Sequence, residues 1–301
     1  MNRSLQTVKS VLLSGQRLGF APARRPGYNR RMVEAQQNVS PDPALAEKLQ
    51  FYLLKGVNKA VRDYQMIASG DRIAVAVSGG KDSLTLLQLL LARQRTSPEP
   101  YEVMAVHVTA DAEACGGPVD HGPLLAHLQS YGIQYALAEL EVASGEPRRR
   151  NQSPCFHCAW RRRKAIFLAA ARLGCNKVAF AHHADDLAET TLLNLFFQGR
   201  VETMEPRRSF FGGKLTVIRP LAYIAEKDII RFVRVAGFPP PPPPCIGADR
   251  SRRELMHRFI EQVEAVYPKA KINLLRAAAR WAPGQGGAEP DDFNEQEEPD
   301  V

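Results

Sequence analysis

Residues 73–91 of the 301-residue chain read IAVAVSGGKDSLTLLQLLL, and the fold of the protein follows from this stretch. A short apolar run stops at Ser78, Gly79 and Gly80, and a leucine-rich run with helical spacing begins after the glycines. The stretch therefore predicts a buried strand over 73–77, a tight turn and a helix over 81–93. Such turns are typical of phosphate sites, because backbone N–H groups of the turn and of the helix start point at one anion.

The rest of the chain repeats this alternation of strand and helix. A first helix is expected between Ala44 and Ile67. Further strands are expected at 103–108, 136–142, 177–181 and 215–219, and further helices at 124–131, 160–173, 184–197, 226–236, 253–266 and 272–281. This order predicts an α/β fold in which a parallel sheet has helices on both faces. Ligands of such sheets bind at the carboxyl ends of the strands.

Composition divides the chain into four regions. Residues 1–40 are rich in arginine, as in a disordered basic arm, a transit peptide, or upstream sequence in front of a start at Met32. Residues 41–238 form the expected sheet domain. Residues 239–283 contain the stiff proline run 239–244, then Cys245 and the closing helices. Residues 284–301 carry seven acidic residues and no basic one, which predicts a disordered tail.

Charge and cysteine content restrict the class of protein. The net charge is +8, and because the basic and acidic ends cancel, the body of the chain is basic. A basic body indicates either a nucleic-acid partner or an ordinary solvated surface. Five cysteines, with one CxxC pair, favour a reducing compartment over a disulfide framework. Apolar runs are too short for a membrane span or a signal peptide, so we expect a cytoplasmic protein without a membrane partner.

The residue types in the glycine turn indicate a nucleotide with its metal ion. Ser78 and Ser83 supply hydroxyl donors and Lys81 supplies a positive charge, while Asp82 is explained by a Mg²⁺ ion that bridges phosphates. The turn is not a Walker A loop, which needs glycine at position 75 and Ser or Thr at position 82. The alternative is a tight turn without a ligand, but SGGKDS after a strand is more specific than that.

A second polar cluster follows a later strand, in AHHADD at 181–186. It places His182, His183, Asp185 and Asp186 at a strand's carboxyl end, facing the expected nucleotide. Paired carboxylates at such a position bind Mg²⁺ or assist deprotonation. Asp186 is explained equally well as an acid at a helix N-terminus.

Three cysteines form a candidate metal site. Cys155 and Cys158 start a helix in CFHC, and Cys245 follows the proline run. Three thiolates can hold a [4Fe–4S] cluster that keeps one iron open, or a zinc ion that a histidine completes. The CxxC segment alone can also act as a redox pair. The spacing leaves these three alternatives open.

These segments together resemble a known family. SGGKDS resembles the PP-loop of the N-type ATP pyrophosphatases. Its combination with CFHC, AHHADDLAETTLLNLFFQG, IRPLAYIAEKDI, FPPPPPPC and VYPKAKINLLRA, across residues 45–283, resembles the tRNA 2-thiocytidine synthetase family. The resemblance implies an enzyme that uses ATP to adenylate the C2 oxygen of cytidine 32 in a tRNA anticodon loop. Sulfur delivered through a [4Fe–4S] cluster then replaces that oxygen.

The resemblance also implies roles for individual residues. Thr109 stands where the family has an acid, which puts any nucleotide or metal role of that position in doubt, and CIGA after the proline run lacks a further cysteine often found there. The implied ATP-binding residues are Ser78, Gly79, Gly80, Lys81, Asp82 and Ser83, with Mg²⁺ at Asp82, adenine against the backbone of Val106 and Val108, and His183 at the nucleotide. The implied cluster ligands are Cys155, Cys158 and Cys245, and the implied catalytic residues are Asp185, Arg162 and Cys245.

The implied partners are tRNA, a cysteine desulfurase as sulfur donor and a second copy of the chain. Four basic runs would bind the tRNA backbone: Arg148–Arg150, Arg161–Lys164, Arg207–Arg208 and Arg250–Arg253. Alternatives are a tRNA 2-thiouridine synthetase, a lysidine-type ligase and a non-catalytic iron–sulfur or zinc redox sensor that binds nucleic acid. The ligase needs no cysteine triad, and the sensor needs no PP-loop.

Overall fold

The computed structural model describes four stretches of the chain, residues 41–109, 119–140, 154–242 and 251–281. The predicted basic arm at 1–40 and the predicted acidic tail at 284–301 lie outside these stretches, as does Cys245.

Helices occur wherever the apolar spacing predicts them in the described stretches. The apolar spacing of one helix begins at Trp160, but that helix starts at Pro154, in agreement with the prediction that CFHC starts a helix. The helices are α1 Pro43–Asp63, α2 Lys81–Gln94, α3 Gly122–Ser130, α4 Pro154–Arg172, α5 Ala184–Gln198, α6 Glu226–Ala236, α7 Ser251–Val266 and α8 Ala270–Trp281.

Six strands form one sheet, in the order β3-β2-β1-β4-β6-β5. Neighbouring strands are parallel except β5, which pairs with β6 in the antiparallel direction. The prediction of a mainly parallel α/β sheet is therefore confirmed. The strands are β1 Arg72–Ala76, β2 Glu102–Thr109, β3 Tyr135–Glu139, β4 Lys177–Ala179, β5 Arg207–Phe210 and β6 Leu215–Ile218.

The edge strand β5 was not predicted. Its sequence, RRSF, has two arginines and no β-branched residue, so it carries no strand signal of its own. It forms because the chain turns back after Phe210 and pairs with β6, with Arg207 opposite Ile218. An antiparallel strand at the edge of a parallel sheet is common in this class of fold.

Alternate residues of the central strand contribute to two separate cores. Ile73, Val75 and Val77 pack on one face with α1, α2 and α6, whereas Ala74 packs on the other face with Ile166 and other residues of α4. Both faces are covered, which explains why β1 reads as a continuous apolar run rather than an alternating one. The two layers hold the carboxyl ends of the strands in fixed positions.

The order of the strands creates a crevice between β1 and β4. The chain passes from β1 to β2 and β3 on one side, and then returns to the other side of β1 with β4 and β6. In doubly wound sheets, ligands bind where the order reverses in this way. SGGKDS follows β1 and AHHADD follows β4, so both candidate motifs lie at this crevice.

The last two helices pack on α5 through a small core of their own. Ala188 and Leu192 of α5 meet Met256 and Ile260 of α7, and Leu274 and Leu275 of α8 pack against this cluster. Since α5 begins at AHHADD, the helix pair lies beside the crevice. In the described part of the chain, the helices are too short or too polar to cross a membrane.

Candidate active site

Hydrogen bonds of Ser78 and Ser83 stabilise the conformation of the glycine turn. The Ser78 N–H donates to Ser83 Oγ at 3.1 Å, and Ser83 Oγ donates to the Gly80 carbonyl at 2.9 Å. Gly79 has a φ of +81°, and a Cβ atom there would lie 3.2 Å from Pro242 Cδ. Glycine is therefore required both by the backbone conformation and by the proline run that lies against the turn. The helix α2 starts directly after the turn, at Lys81.

Lys81 is shared between two carboxylates behind the turn. Its Nζ atom lies 2.8 Å from both carboxylate oxygens of Asp82 and 2.9 Å from Glu226 Oε1. Burial lowers the pKa of Lys81, but the two acids outweigh burial and raise it. Burial also raises the pKa of Asp82, in spite of the neighbouring Lys81 and His183. The ammonium group is thus held at the base of the turn in its charged form.

His183 is buried among three carboxylates. Its Nε2 atom lies 3.4 Å from Asp186 Oδ2 and 3.8 Å from Asp82 Oδ1, and its Nδ1 atom lies 3.6 Å from Asp185 Oδ2. Burial lowers the pKa of His183, but Asp185, Asp186 and Asp82 together raise it above the usual value. The imidazole, whose charged form these carboxylates favour, therefore connects the residues after β4 to the turn after β1.

Asp185 receives hydrogen bonds from two other helices. The Glu226 N–H, the first of α6, donates to Asp185 Oδ2 at 2.7 Å, and Lys271 of α8 forms a buried ion pair with Asp185 Oδ1. Burial raises the pKa of Asp185, but the nearby His183 and the bonds from Lys271 and the Glu226 N–H outweigh burial and hold it well below the usual range. An ionised carboxylate with two strong donors is a poor proton acceptor, so its geometry favours positioning over deprotonation.

Asp186 acts as a helix cap. The His183 N–H donates to Asp186 Oδ2 at 3.1 Å, and Arg253 Nη1 of α7 donates to Asp186 Oδ1 at 3.1 Å. The same arginine atom also lies 3.1 Å from Glu189 Oε2. Of the two interpretations of Asp186, these contacts support the helix-terminal one.

His182 points away from the group around His183. Arg219 Nε donates to His182 Nδ1 at 3.2 Å, which identifies that ring nitrogen as an acceptor. Burial and the charge of Arg219 lower the pKa of His182. The two adjacent histidines thus have opposite charge preferences, and only His183 lies beside the turn.

The two valines predicted to contact adenine differ in their position on β2. The Val106 carbonyl already accepts the Val77 N–H at 2.8 Å. The last pairing of β1 with β2 is Ala76 with Val106, so Val108 lies where β2 continues beyond its neighbour. Backbone groups of alternate residues point to the same side of a strand. Val108 therefore directs its backbone edge toward the crevice, and Thr109 Oγ1 faces Ala138 instead.

The first turns of α4 hold two of the three predicted cluster ligands. Cys158 is half-buried and unoxidised, whereas Cys155 is described only in its backbone. Spacings of three and four residues place positions 155, 158 and 162 along one side of the helix. The charge of Arg162 contributes to the lowered pKa of His107 on β2, after burial and His121. Pro242, three residues before Cys245 in the sequence, lies against Gly79.

Comparison with known proteins gives the family. A PP-loop domain matches residues 52–239. The tRNA-cytidine(32) 2-sulfurtransferase of Geobacter metallireducens is 40% identical over 243 residues, which cover 79% of this chain and 92% of that protein. Its counterpart in Geobacter sulfurreducens is 41% identical over 75% of this chain and 88% of that protein. The chain belongs to this family of PP-loop sulfurtransferases.

A solved structure supports the fold of this sulfurtransferase. The U34-tRNA thiolase NcsA of Methanococcus maripaludis, solved with its [4Fe–4S] cluster, superposes with a TM-score of 0.60 over 77% of this chain and 79% of that chain. The two sequences are 21% identical, so the similarity concerns the fold alone.

The described stretches contain only part of the metal sites predicted for the sulfurtransferase. No three His, Cys, Asp or Glu side chains in those stretches are arranged to hold a metal ion. Asp82, the predicted Mg²⁺ ligand, instead accepts Lys81 with both oxygens. The cysteine site includes Cys245, which lies outside the described residues.

Three residues of the sulfurtransferase site were missed from the sequence, Glu226, Lys271 and Glu189, whereas Arg253 was predicted as a tRNA contact and pairs here with Asp186 and Glu189. Each is charged, and Glu226, Lys271 and Glu189 are buried. Charged residues on predicted helices are expected to be exposed to solvent, because a sequence does not show which oppositely charged residue lies close enough for an ion pair. The only signal was that each of the three lies inside a quoted segment: Glu189 in AHHADDLAETTLLNLFFQG, Glu226 in IRPLAYIAEKDI and Lys271 in VYPKAKINLLRA.

Proposed function

We propose that this protein is an ATP-dependent tRNA sulfurtransferase that converts cytidine 32 of the anticodon loop to 2-thiocytidine. The observation that carries the proposal is the convergence of the glycine turn and AHHADD at one crevice, where Asp82 contacts both Lys81 and His183. Relatives about 40% identical over most of the chain carry this activity in their names. The activity is inferred for this chain from both facts together.

The first step activates the base. The C2 oxygen of cytosine attacks the α-phosphorus of ATP, the new C2–O–P bond forms, and pyrophosphate leaves. The N–H groups of the turn and of the start of α2 hold the departing pyrophosphate, which concentrates negative charge where the helix dipole favours it. Lys81 turns from Asp82 to the phosphates and keeps its contact with Glu226. Adenylation is needed because the C2 oxygen is otherwise a poor leaving group.

Asp82 suits a magnesium ion once ATP is bound. In the structure its carboxylate neutralises Lys81, and transfer of Lys81 to the phosphates would free both oxygens for a hard cation. Bound Mg²⁺ would supply charge neutralisation between the phosphates. The three carboxylates around His183 raise its pKa, and in its charged form His183 adds a second positive group at the same place.

The cysteines suit a [4Fe–4S] cluster. Cys155 and Cys158 lie one helical turn apart at the start of α4, and Pro242, which lies against Gly79, precedes Cys245 by three residues in the sequence. Bound through these three thiolates, a cluster would keep one iron available for a sulfur ligand. Arg162, on the same side of α4, provides a positive charge beside this position.

The second step exchanges oxygen for sulfur. Hydrosulfide attacks C2, the C2–O bond breaks, AMP leaves, and one proton is released as the thiocarbonyl forms. The sulfur comes from the persulfide of a cysteine desulfurase, and a thiol reductant supplies the two electrons that convert persulfide sulfur to hydrosulfide. Reduced thiols and a cluster suit the cytoplasm. We further propose that the protein acts as a homodimer.

Pyrophosphate release tests this function directly. Purified protein is incubated anaerobically with ATP, Mg²⁺ and unmodified tRNA, and pyrophosphate is measured with and without the tRNA. The proposal expects release that requires a tRNA with cytidine at position 32 and that disappears when uridine replaces it. Release with uridine alone would favour the thiouridine alternative. Binding of tRNA without any release would favour the redox-sensor alternative.

A further inference from the structure

A lysine from the C-terminal helix pair reaches into the active site. Lys271 lies on α8, 86 residues from Asp185 in the sequence, and is 8% exposed. Its Nζ atom forms a buried ion pair with Asp185 Oδ1 and lies 2.9 Å from Glu264 Oε2 of α7. The matched PP-loop domain ends at residue 239, so Lys271 lies beyond it. The active site of the PP-loop domain is therefore completed from outside that domain.

We infer that Lys271 is a positioning residue for adenylation: it fixes the carboxylate of Asp185, which in turn fixes the start of α6 and the lysine of the PP-loop. This inference rests on the proposed function. Three contacts in sequence carry it. Lys271 holds Asp185 Oδ1, Asp185 Oδ2 accepts the Glu226 N–H, and the Glu226 carboxylate holds Lys81. Each contact joins a different helix to the next, from α8 through α5 and α6 to α2.

The burial of Lys271 explains why the arrangement has one geometry. A buried ammonium group is stable only with well-placed acceptors, and Lys271 has carboxylates on both neighbouring helices, Asp185 of α5 and Glu264 of α7. The α7–α8 pair can therefore dock on α5 only with this side chain directed at Asp185. Packing of the α7–α8 pair on α5 does not by itself require the charge of Lys271, because the apolar core around Ile260 already joins the same helices.

The inference predicts where the effect of a substitution appears in the kinetics. Lys271 does not lie at the glycine turn, so its loss leaves the N–H groups that bind phosphate in place. Asp185 loses one of its two donors, and Glu226 and Lys81 lose their fixed position. We therefore expect a fall in kcat for tRNA-dependent pyrophosphate release, with the KM for ATP changed by less than about threefold.

The experiment compares five variants with the wild-type protein. Lys271→Met removes the charge, and Lys271→Arg restores a charged donor. Asp185→Asn combined with Lys271→Met removes both charges, which keeps the fold accessible when the single variant leaves Asp185 unpaired. Lys269→Met is the matched control, since Lys269 is an exposed lysine two positions away. Ile260→Ala loosens the same helix pair without contact to Asp185. Thermal unfolding of each variant sets a temperature at which all are folded.

The expected results are a loss in kcat of about 100-fold for Lys271→Met, partial recovery for Lys271→Arg and wild-type kinetics for Lys269→Met. The double variant is expected to be no slower than Lys271→Met, because both substitutions break the same chain of contacts. Wild-type kcat in folded Lys271→Met would overturn the inference. So would an equal loss in Ile260→Ala, which would assign Lys271 a purely structural role. Failure of the wild-type protein to release pyrophosphate would instead contradict the proposed function.

Discussion

Gly79 is the residue whose identity the active site constrains most tightly. Its φ of +81° lies in the left-handed region, and the proline run lies against the position where a side chain would begin. The sequence predicted glycine at this turn for the first reason. The second reason could not be predicted, because Pro242 is distant in the sequence and its contact depends on how the chain returns after α6.

Gly79→Ala is expected to weaken both folding and nucleotide binding. The left-handed conformation costs an alanine about 1 kcal/mol, and the new methyl group must also displace Pro242. We expect the free energy of unfolding to fall by about 2 kcal/mol and pyrophosphate release to fall at least tenfold. Both are measured on purified protein, by urea denaturation and by steady-state kinetics.

Gly70→Ala provides the matched control for this substitution. Gly70 has a φ of +83°, and a Cβ atom there meets no atom within 4 Å. The control therefore carries the same backbone strain without the contact to the proline run. If both variants lost stability and activity equally, the contact between Pro242 and the turn would contribute nothing to stability or activity.

Regular elements were predictable where one residue pattern decides them. The apolar run of β1 and the leucine spacing of α2 determine strand and helix locally, and the parallel order brings their ends to one edge. The sequence therefore predicts that SGGKDS and AHHADD lie at the same edge of the sheet. The edge strand β5 could not be predicted in this way, because the segment with its two arginines forms a strand only through pairing with β6. The ion pair of Lys271 could not be predicted either, because the sequence does not show which charged residues on separate helices lie close together.

The helix α7 carries a contact with α5 that depends on pH. His257 Nδ1 lies 3.0 Å from Glu189 Oε1, and this hydrogen bond raises the pKa of His257 to about 9 from 6.5. A raised pKa means that the contact stabilises the folded protein fully below about pH 6.5 and that this stabilisation is lost as the pH rises through about 9. We expect the loss to be roughly 1–2 kcal/mol, since His257 is partly exposed.

His257→Gln tests this pH dependence. The variant keeps a side-chain donor for Glu189 but does not titrate, so its unfolding free energy is expected to change less than that of the wild type between pH 6.5 and 9. Amide hydrogen exchange of α7 at both pH values locates the effect. Equal pH dependence in variant and wild type would show that another group is responsible.

The molecule as a whole presents basic side chains at the edge of the sheet that carries the site. Arg207 of β5 is exposed and pairs with Ile218, the last residue of β6, at the carboxyl edge. Arg253, by contrast, is bound to Asp186 and Glu189 and joins α7 to α5. The basic runs therefore differ in role, and net charge alone could not distinguish them.

Binding of tRNA is expected to depend strongly on salt. If about six phosphates are contacted, affinity falls about 10³-fold between 50 and 200 mM salt. Arg207→Gln is expected to reduce the slope of log affinity against log salt by about 1. Arg95→Gln, at the exposed end of α2, is the control and is expected to leave the slope unchanged. An unchanged slope in Arg207→Gln would exclude β5 from the tRNA surface.

The measurement that tests the central claim most directly is a nucleoside digest of total tRNA, analysed by mass spectrometry. Cells that lack the gene are compared with cells that carry the wild-type protein or Cys158→Ala. The proposed function predicts that 2-thiocytidine is absent without the gene, returns with the wild-type protein and stays absent with Cys158→Ala, while thiouridines are unchanged. Persistence of 2-thiocytidine in cells that lack the gene would contradict it.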